Sequence, residues 1–275
     1  MLNFISFGSG SSGNCSLLYN EEEAIMIDAG VGIRTIKKFF NQYGINASKI
    51  KGILITHNHA DHISSASCLS RYLNVNLFVS PLVFNKISQM RGRYKTDKNQ
   101  MTIIESGFDF KIGDFLITPF KLPHDAADNF GYSIRFQSEV FTFMTDIGRP
   151  TDEVGQFVKK SNYLIIEADY DPELLAMNPK YDYQLKMRIS NGYGHLSNYQ
   201  TSQILFDNFH DNLSFIALCH LSQENNKPEL ARSIVRNKLA ERNLYEGVDY
   251  KLAVLNRAQV SGPWVLSQNK NYENI

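Results

Sequence analysis

The stretch THNHADHISS, residues 56–65, is the part of the sequence that decides the fold. It places His57, His59, Asp61 and His62 within six residues, directly after the apolar run ILIT. In an extended loop, side chains two positions apart project to the same side, so His57 and His59 can bind one ion. Asp61 and His62 stand at the start of a predicted helix, point elsewhere, and can hold a second ion. The stretch therefore predicts two metal ions at the end of a strand.

Four other apolar, β-rich runs also end abruptly in a residue that can bind a metal or move a proton. These residues are His124, Asp146, Glu167 and His220. Imidazoles and carboxylates are costly to bury unless they are bound to something. We therefore expect these strands to end at one shared edge, where their loops assemble a site.

The composition is that of an ordinary globular protein. Of the 275 residues, 43% are apolar and 20% charged, and the 28 basic residues equal the 28 acidic ones, so no global charge favours nucleic acid or membrane. Three well-separated cysteines argue against a disulfide framework or a thiolate zinc site. No signal segment or membrane-length apolar run is seen, so we expect a cytoplasmic protein without membrane association. Nothing indicates an oligomeric state.

Periodicity and capping residues predict helices at residues 31–43 and 62–73, and further helices that begin at Ser80-Pro81 and Lys227-Pro228. The β-rich runs between them are ILIT, LFVS, FLITPF, YSIRF, VFTFMT, YLIIEA, SFIALC and YKLAVL. Strands interleaved with helices indicate an α/β or α+β architecture with two sheets and helices outside. No repeat, linker or boundary interrupts the chain, so we predict a single domain over residues 1–275.

The N-terminal segment GSGSSGN, residues 8–14, has the G-x-G-x-x-G spacing of a dinucleotide-binding loop. That function requires a helix directly after the loop, because the helix N-terminus holds the pyrophosphate. The following residues, CSLLYNEEEAIMIDAG, instead predict strand, turn and strand. We therefore predict a hairpin turn and no dinucleotide cofactor.

The pattern H-x-H-x-D-H after a buried strand resembles the metallo-β-lactamase superfamily. The resemblance implies an α+β fold, a four-layer αββα sandwich with a binuclear metal site at the sheet edge. Other motifs of that superfamily follow in its order, from residue 8 to about residue 225: IDAG with Asp28, LPHDA with His124, TDIG with Asp146 and CHLS with His220.

The same resemblance implies a set of site residues. One ion would be bound by His57, His59, His124 and Asp146, and the other by Asp61, His62, Asp146 and His220. Asp28 would brace the site, and Asp61 would take part in catalysis as well as bind metal. Cys219, next to the last histidine, is expected in the core rather than as a ligand.

The resemblance can be narrowed to one branch. GSGSSGNC, GHLSN and CHLSQENNKPE are similar to the YycJ/WalJ branch of compact bacterial metallo-hydrolases. That branch is associated with 5′-to-3′ exonuclease activity on double-stranded DNA and is related to ribonuclease Z. Asp146 and His220 are 74 positions apart, too few for the inserted domain of β-CASP nucleases. The long tRNA-gripping arm of ribonuclease Z has no obvious counterpart.

A binuclear core suits phosphodiester cleavage. Two ions about 3.5–4 Å apart lower the pKa of a shared water, and the resulting hydroxide is the expected nucleophile. Nitrogen and oxygen ligands suit zinc or manganese, with iron also possible. His195, in NGYGHLSN, is the expected general acid for the leaving oxygen. Glu167 is expected to orient it, although a plain surface carboxylate is the alternative.

The sequence indicates substrate-binding residues less clearly than metal ligands. RGRYKTDK, residues 91–98, predicts either a solvated loop or a groove that follows phosphates, and KYDYQLKMR offers a second mix of tyrosines and basic residues. The first turn supplies small residues and backbone N–H groups that suit a phosphate. The candidate contacts are Ser11, Ser12, Asn14, Arg91, Arg93 and Lys95.

DNA, as a duplex or a 5′ end, is the expected substrate of such an enzyme. Two alternatives stay open: a small-molecule hydrolase that cleaves a thioester or lactone on the same metal core, and an RNA-processing enzyme like ribonuclease Z. The fold alone does not decide among them.

Overall fold

The structure is a computed structural model that describes residues 1–92 and 95–266. Arg93 and Tyr94 of the predicted basic loop lie outside the described residues. The chain divides into two compact units. Unit 1 comprises Met1–Phe120, Ala126–Phe130 and Asn256–Leu266, and the described part of unit 2 comprises Lys121–Asp125 and Gly131–Leu255. A single domain over residues 1–275 stays a prediction.

The strands of the described residues are numbered along the chain. They are β1 (Leu2–Gly8), β2 (Cys15–Tyr19), β3 (Ala24–Ile27), β4 (Ile50–Leu54), β5 (Leu77–Val79), β6 (Met101–Ile103), β7 (Phe110–Ile112), β8 (Phe115–Lys121), β9 (Phe130–Phe136), β10 (Glu139–Met144), β11 (Tyr163–Glu167), β12 (Phe215–Cys219), β13 (Lys251–Val254) and β14 (Ser261–Leu266).

The helices are numbered in the same way. They are α1 (Ile33–Gln42), α2 (Ala60–Ile63), α3 (Ala66–Leu73), α4 (Pro81–Gln89), α5 (Asp152–Val158), α6 (Pro172–Met177), α7 (Tyr183–Ser190), α8 (Asn198–Asn208) and α9 (Pro228–Ala240). No helix in the described part of the chain combines the length and the apolar character that crossing a bilayer requires.

Unit 1 is built on a seven-stranded sheet in the order β14-β1-β2-β3-β4-β5-β6. The strands from β14 to β3 pair antiparallel and those from β3 to β6 pair parallel. Helix α1 buries Ile36 and Phe40 in a core that includes Phe7 and Ile53. The β7–β8 hairpin is antiparallel.

Unit 2 contains β9 to β13 in the order β13-β12-β11-β10-β9. The four strands β10 to β13 are parallel, and β10 pairs antiparallel with β9. Strands β11 and β12 are buried along their whole length, which explains their continuous apolar sequence. Because β10, β11 and β12 run in the same direction, their carboxyl ends meet at one edge.

The eight predicted β-rich runs all contain strands, and the predicted hairpin turn is confirmed, since β1 and β2 pair antiparallel on either side of residues 9–14. The single helix predicted at residues 62–73 is wrong: α2 ends at Ile63 and α3 begins at Ala66. The break has a local cause, because Ser65 N donates to Ala29 O and Ser64 Oγ donates to Gly30 O instead of continuing the helix.

Candidate metal centre and active-site residues

Cluster 1 lies in unit 1 and comprises His57, His59, Asp61 and His62. The ring centroid of His57 lies 4.6 Å from that of His59 and 4.1 Å from that of His62. Asp61 and His62 stand in the single turn of α2, and Asp61 Oδ2 is 3.5 Å from His62 Nε2. His57 and His62 are fully buried. The strand end and the short helix thus bring four nitrogen and oxygen donors together.

Asp28 and Thr56 hold two of these histidines. Asp28 accepts hydrogen bonds from Thr56 N at 2.9 Å and from Thr56 Oγ1, and it contacts His62 Nδ1 at 2.7 Å. Thr56 Oγ1 also lies 3.0 Å from His57 Nδ1. Both rings are therefore engaged through Nδ1, so Nε2 is the nitrogen that each would offer to a metal ion, and in His62 it lies against Asn14 Nδ2. Burial raises the pKa of Asp28, and the charge of His62 offsets this only in part.

Asn14 connects the first turn to cluster 1. Its amide Nδ2 lies 2.9 Å from His62 Nε2 and donates to Asp61 Oδ2 at 3.2 Å, while its Oδ1 accepts from Gly10 N at 2.7 Å. The side chain is buried. The backbone is joined too, because Asn14 N donates to Asp61 O. The structure therefore assigns Asn14 contacts inside the protein that position two candidate ligands.

The approach of the two segments is close at Gly30. A Cβ atom there would lie 1.5 Å from the backbone oxygen of Asp61, so only glycine fits. This close contact explains why the motif IDAG ends in glycine. The sequence alone does not show that requirement.

The remaining predicted substrate contacts in unit 1 lie on the surface. Ser11 and Ser12 are exposed in the first turn, and Ser11 Oγ accepts from an Arg257 guanidinium nitrogen at 3.3 Å. Arg91 and Lys95 are exposed, whereas Arg93 falls outside the described residues. These side chains are available to a ligand, and their roles stay predictions.

Cluster 2 lies in unit 2 and comprises His124, Asp146, Glu167, His195 and His220. Asp146 follows β10, Glu167 ends β11 and His220 follows β12. Asp146 and His220 have left-handed backbone conformations with φ of 58° and 55°. Non-glycine residues seldom adopt this region, and such outliers concentrate at functional sites.

Asp146 Oδ1 stands at the centre of cluster 2. His124 Nε2 lies 3.7 Å from it, His220 Nε2 3.6 Å and His195 Nδ1 3.7 Å. His124 Nδ1 donates to the backbone oxygen of Gly194 at 2.9 Å, so its Nε2 is the nitrogen that faces Asp146. Three imidazole rings thus converge on one carboxylate oxygen, which places nitrogen and oxygen donors close together.

Glu167 and His195 form a pair beside this centre. Glu167 is fully buried, so the alternative of a plain surface carboxylate is wrong. Its Oε1 lies 2.8 Å from His195 Nδ1, and its Oε2 accepts the backbone N–H groups of Ile147 and Leu196 at 2.8 and 3.0 Å. Burial alone would lower the pKa of His195, but the charges of Glu167 and Asp169 outweigh it and raise the pKa to about 9.

Three residues that contact the clusters or the segments beside them were assigned no role by the sequence analysis. Thr56 immediately precedes the histidine pattern, and this position is the sequence signal that could have identified it. Asp169 Oδ1 lies 3.8 Å from His220 Nδ1, and burial raises the pKa of Asp169 to about 6. Asn226 donates to the backbone oxygens of Ala168 and Asp169, both at 2.9 Å, and so secures the segment after Glu167.

The donor atoms fit a divalent metal ion. One atom each from Asp146, Glu167, His195 and His220 lie within 4.8 Å of one another, and imidazole and carboxylate donors suit zinc, manganese or iron. Cys219 is buried in the core, as predicted, where its Sγ contacts Met144 O at 3.7 Å. The two clusters hold six of the seven histidines of the chain. Both therefore have the chemistry of metal sites.

Comparison with known proteins identifies the family. A family profile described as a β-lactamase superfamily domain matches residues 23–207. The chain belongs to the metallo-β-lactamase superfamily. Two relatives cover nearly its full length. Exodeoxyribonuclease YycJ of Bacillus anthracis is 30% identical over 251 residues, 91% of this chain and 94% of the relative. Exodeoxyribonuclease WalJ of Streptococcus pneumoniae (strain D39) is 32% identical over 244 residues, 89% of this chain and 90% of the relative.

A solved structure supports the same fold. The metallo-β-lactamase fold protein YhfI from Bacillus subtilis superposes with a TM-score of 0.68 at 14% identity, over 95% of this chain and 100% of that one. The predicted α+β fold of the metallo-β-lactamase superfamily is confirmed, as is the resemblance to the YycJ/WalJ branch. The protein is a hydrolase of this superfamily, and its clusters fit divalent metal binding.

Proposed function

We propose that this protein is a metal-dependent exodeoxyribonuclease that removes nucleotides from the 5′ end of double-stranded DNA. The Glu167–His195 pair beside Asp146 carries the proposal, because phosphodiester cleavage needs a positioned proton donor for its leaving oxygen. The names of the two full-length relatives give the substrate class. A cytoplasmic location, where chromosomal DNA would be met, is part of the proposal.

We further propose that clusters 1 and 2 together bind two divalent ions, as family membership suggests. His57, His59, His124 and Asp146 would hold one ion, and Asp61, His62, Asp146 and His220 the other. Such a pair supplies a water of lowered pKa and charge that stabilises the phosphate oxygens. Zinc or manganese suits these ligands, with iron also possible.

The protein's own groups then have distinct tasks. His195 holds a proton on Nε2 for the leaving oxygen, because Nδ1 is engaged by Glu167. Glu167 is itself anchored by two backbone N–H groups and fixes the ring, and its charge raises the pKa of His195. Asp28 fixes the tautomer of His62 through Nδ1. Asp61 stands at the rim of cluster 1, where its side chain is 22% exposed and able to meet substrate as well as metal.

Residues of unit 1 are proposed to contact the DNA backbone. They are the exposed Ser11 and Ser12 of the first turn and the exposed Arg91 and Lys95 of the basic loop, together with Arg93, which lies outside the described residues. The buried Asn14 would act through Asp61 and His62 rather than on the DNA itself. Phosphate contacts weaken steeply as salt rises, so cleavage at low DNA concentration should fall with ionic strength.

The decisive experiment measures release of nucleotides from a 5′-labelled duplex by the protein, first stripped with a chelator and then supplied with manganese or zinc. We expect no cleavage without metal and cleavage with it. His195→Ala should lower the rate at least about 100-fold, the low end of a general acid's contribution. His210→Ala is the matched control, since His210 lies in neither cluster. A rate for His195→Ala within threefold of this control would remove the acid role.

The same preparation separates the alternatives. Efficient hydrolysis of a lactone or thioester, with DNA left intact at low salt, would replace the nuclease by a small-molecule hydrolase. Cleavage of a structured RNA in preference to DNA would replace it by a ribonuclease Z-like enzyme.

A further inference from the structure

An exposed tyrosine and an arginine form a pair beside cluster 2. The guanidinium carbon of Arg149 lies 5.0 Å from the ring centroid of Tyr193, within the range of a cation–π contact. More than half of Tyr193, 54%, is exposed, and Arg149 is exposed as well. The two exposed side chains therefore offer an aromatic face and a positive charge side by side.

Hydrogen bonds and close backbone packing connect the two loops that carry the pair. Arg149 Nη1 donates to Gly192 O at 3.2 Å, and Tyr193 N donates to Asn191 Oδ1 at 2.9 Å. A Cβ atom at Gly148 would lie 2.5 Å from both Gly192 O and the Tyr193 Cα, so the two loops pack backbone against backbone. These contacts therefore fix the backbone positions of Arg149 and Tyr193 relative to each other.

The two loops are also the ones that carry cluster 2. Arg149 follows Asp146 by three positions and Tyr193 precedes His195 by two. His195 N donates to Ile189 O, which fixes the loop between Tyr193 and the acid. The pair therefore lies within three residues of Asp146 and two residues of His195 along the chain.

We propose that Tyr193 and Arg149 bind the nucleotide next to the scissile phosphate, with the ring stacking on the base and the guanidinium contacting a phosphate. The inference rests on the proposed nuclease function. Stacking on an aromatic ring tolerates any base, and arginine adds charge that matches the strand. This chemistry suits an exonuclease that must advance through every sequence.

The test compares ordinary duplex DNA with the same duplex carrying abasic sites at its first two 5′ nucleotides. Tyr193→Ala should lower kcat/KM on ordinary DNA about tenfold, within the usual range for one stacked base. Abasic DNA should lower the kcat/KM of the unchanged protein by a similar factor. On abasic DNA, the kcat/KM of Tyr193→Ala should be less than about twofold below that of the unchanged protein. Tyr193→Phe should restore cleavage of ordinary DNA, because it keeps the ring.

Tyr245→Ala is the matched control, since Tyr245 is 51% exposed in the same unit and lies outside cluster 2. It should behave as the unchanged protein on both substrates. Equal losses for Tyr193→Ala on ordinary and abasic DNA would overturn stacking in favour of a structural role, as would an effect no larger than that of the control.

Arg149 has a separate readout. Arg149→Gln should reduce the slope of log affinity against log salt by about one, as loss of one phosphate contact predicts, whereas Arg149→Lys should keep it. An unchanged slope for Arg149→Gln would remove the phosphate contact. If the unchanged protein cleaves no DNA at all, both the proposed nuclease function and this inference are wrong. If it cleaves DNA but ignores these substitutions, the inference alone fails.

Discussion

Glu167 Oε1 lies 2.8 Å from His195 Nδ1, while Glu167 Oε2 accepts two backbone N–H groups. The backbone therefore holds the carboxylate in place independently of the imidazole. Because Glu167 ends β11, the orientation of the His195 ring is set by that strand. A catalytic acid on a loop would otherwise sample several rotamers, so this anchor is a means of positioning.

Glu167→Gln should lower kcat about 100-fold with little change in KM. The amide retains an oxygen, but it carries no charge to hold the proton on His195. Steady-state cleavage of DNA at saturating metal measures the effect. Glu241→Gln is the control, because Glu241 is exposed and pairs with Lys238. Equal kcat for the two variants would show that Glu167 does not support the acid.

The metal-free protein should show a pH-dependent contribution from His195. Its folded pKa, about 9, is raised above the ordinary value of 6.5. The protonated ring therefore stabilises the fold fully below pH 6.5, and this stabilisation is lost as the pH rises through 9. The free energy of unfolding of the unchanged protein should exceed that of His195→Gln by about 3 kcal/mol at pH 6, since one pKa unit corresponds to about 1.4 kcal/mol. Urea unfolding in EDTA at pH 6 and pH 10 measures this, and a difference that does not shrink at pH 10 would contradict it.

Asp28→Asn should weaken metal binding about 10- to 100-fold, because partners that orient ligating histidines typically contribute this much. The asparagine cannot accept from Thr56 and His62 with both side-chain atoms. Calorimetric titration of zinc into the stripped protein gives the affinity. Asp114→Asn, an exposed change in the same unit, provides the comparison. Affinities that agree within twofold would exclude Asp28 as a brace.

Gly30→Ala and Gly32→Ala should differ sharply although they are two residues apart. A Cβ at Gly30 would lie 1.5 Å from Asp61 O, whereas one at Gly32 would meet nothing within 4 Å. We expect Gly30→Ala to destabilise the protein by about 3 kcal/mol, the upper part of the usual overpacking cost, and Gly32→Ala by less than about 0.5 kcal/mol. Thermal unfolding of both variants tests this, and similar midpoints would mean that the close approach does not exist.

Much of the site was readable because it lies in local patterns. His57, His59, Asp61 and His62 fall in one short stretch, and Asp146, Glu167 and His220 terminate apolar runs that became parallel strands. His124 follows β8, which pairs antiparallel with β7. The contacts of Asn14 were not readable, because Asn14 and Asp61 are 47 positions apart and only the folded hairpin brings them together. The burial of Glu167 was open for the same reason.

The missed helices show a different limit. Helix α7 has no buried residue, so it lacks the apolar periodicity by which a helix is recognised, and only the cap at Asp182, which accepts from Leu185 N, marks it. Helix α8 begins with a capping box of Ser197 and Gln200, a signal that the sequence did carry. Short, capped helices of this kind are predicted better from the capping residues at their N-terminus than from the periodicity of apolar residues.

Asp28, Asp146 and His220 share one backbone feature, a φ between 55° and 60° at the end of a strand. Each such conformation costs a non-glycine residue about 1–2 kcal/mol, which glycine would avoid. If the three residues serve the metal centre as proposed, stability and activity favour different residues at these positions. In a lineage released from selection for catalysis, drift should replace these residues by glycine or asparagine first, so a descendant with glycines at these strand ends would be recognisable as a folded pseudoenzyme.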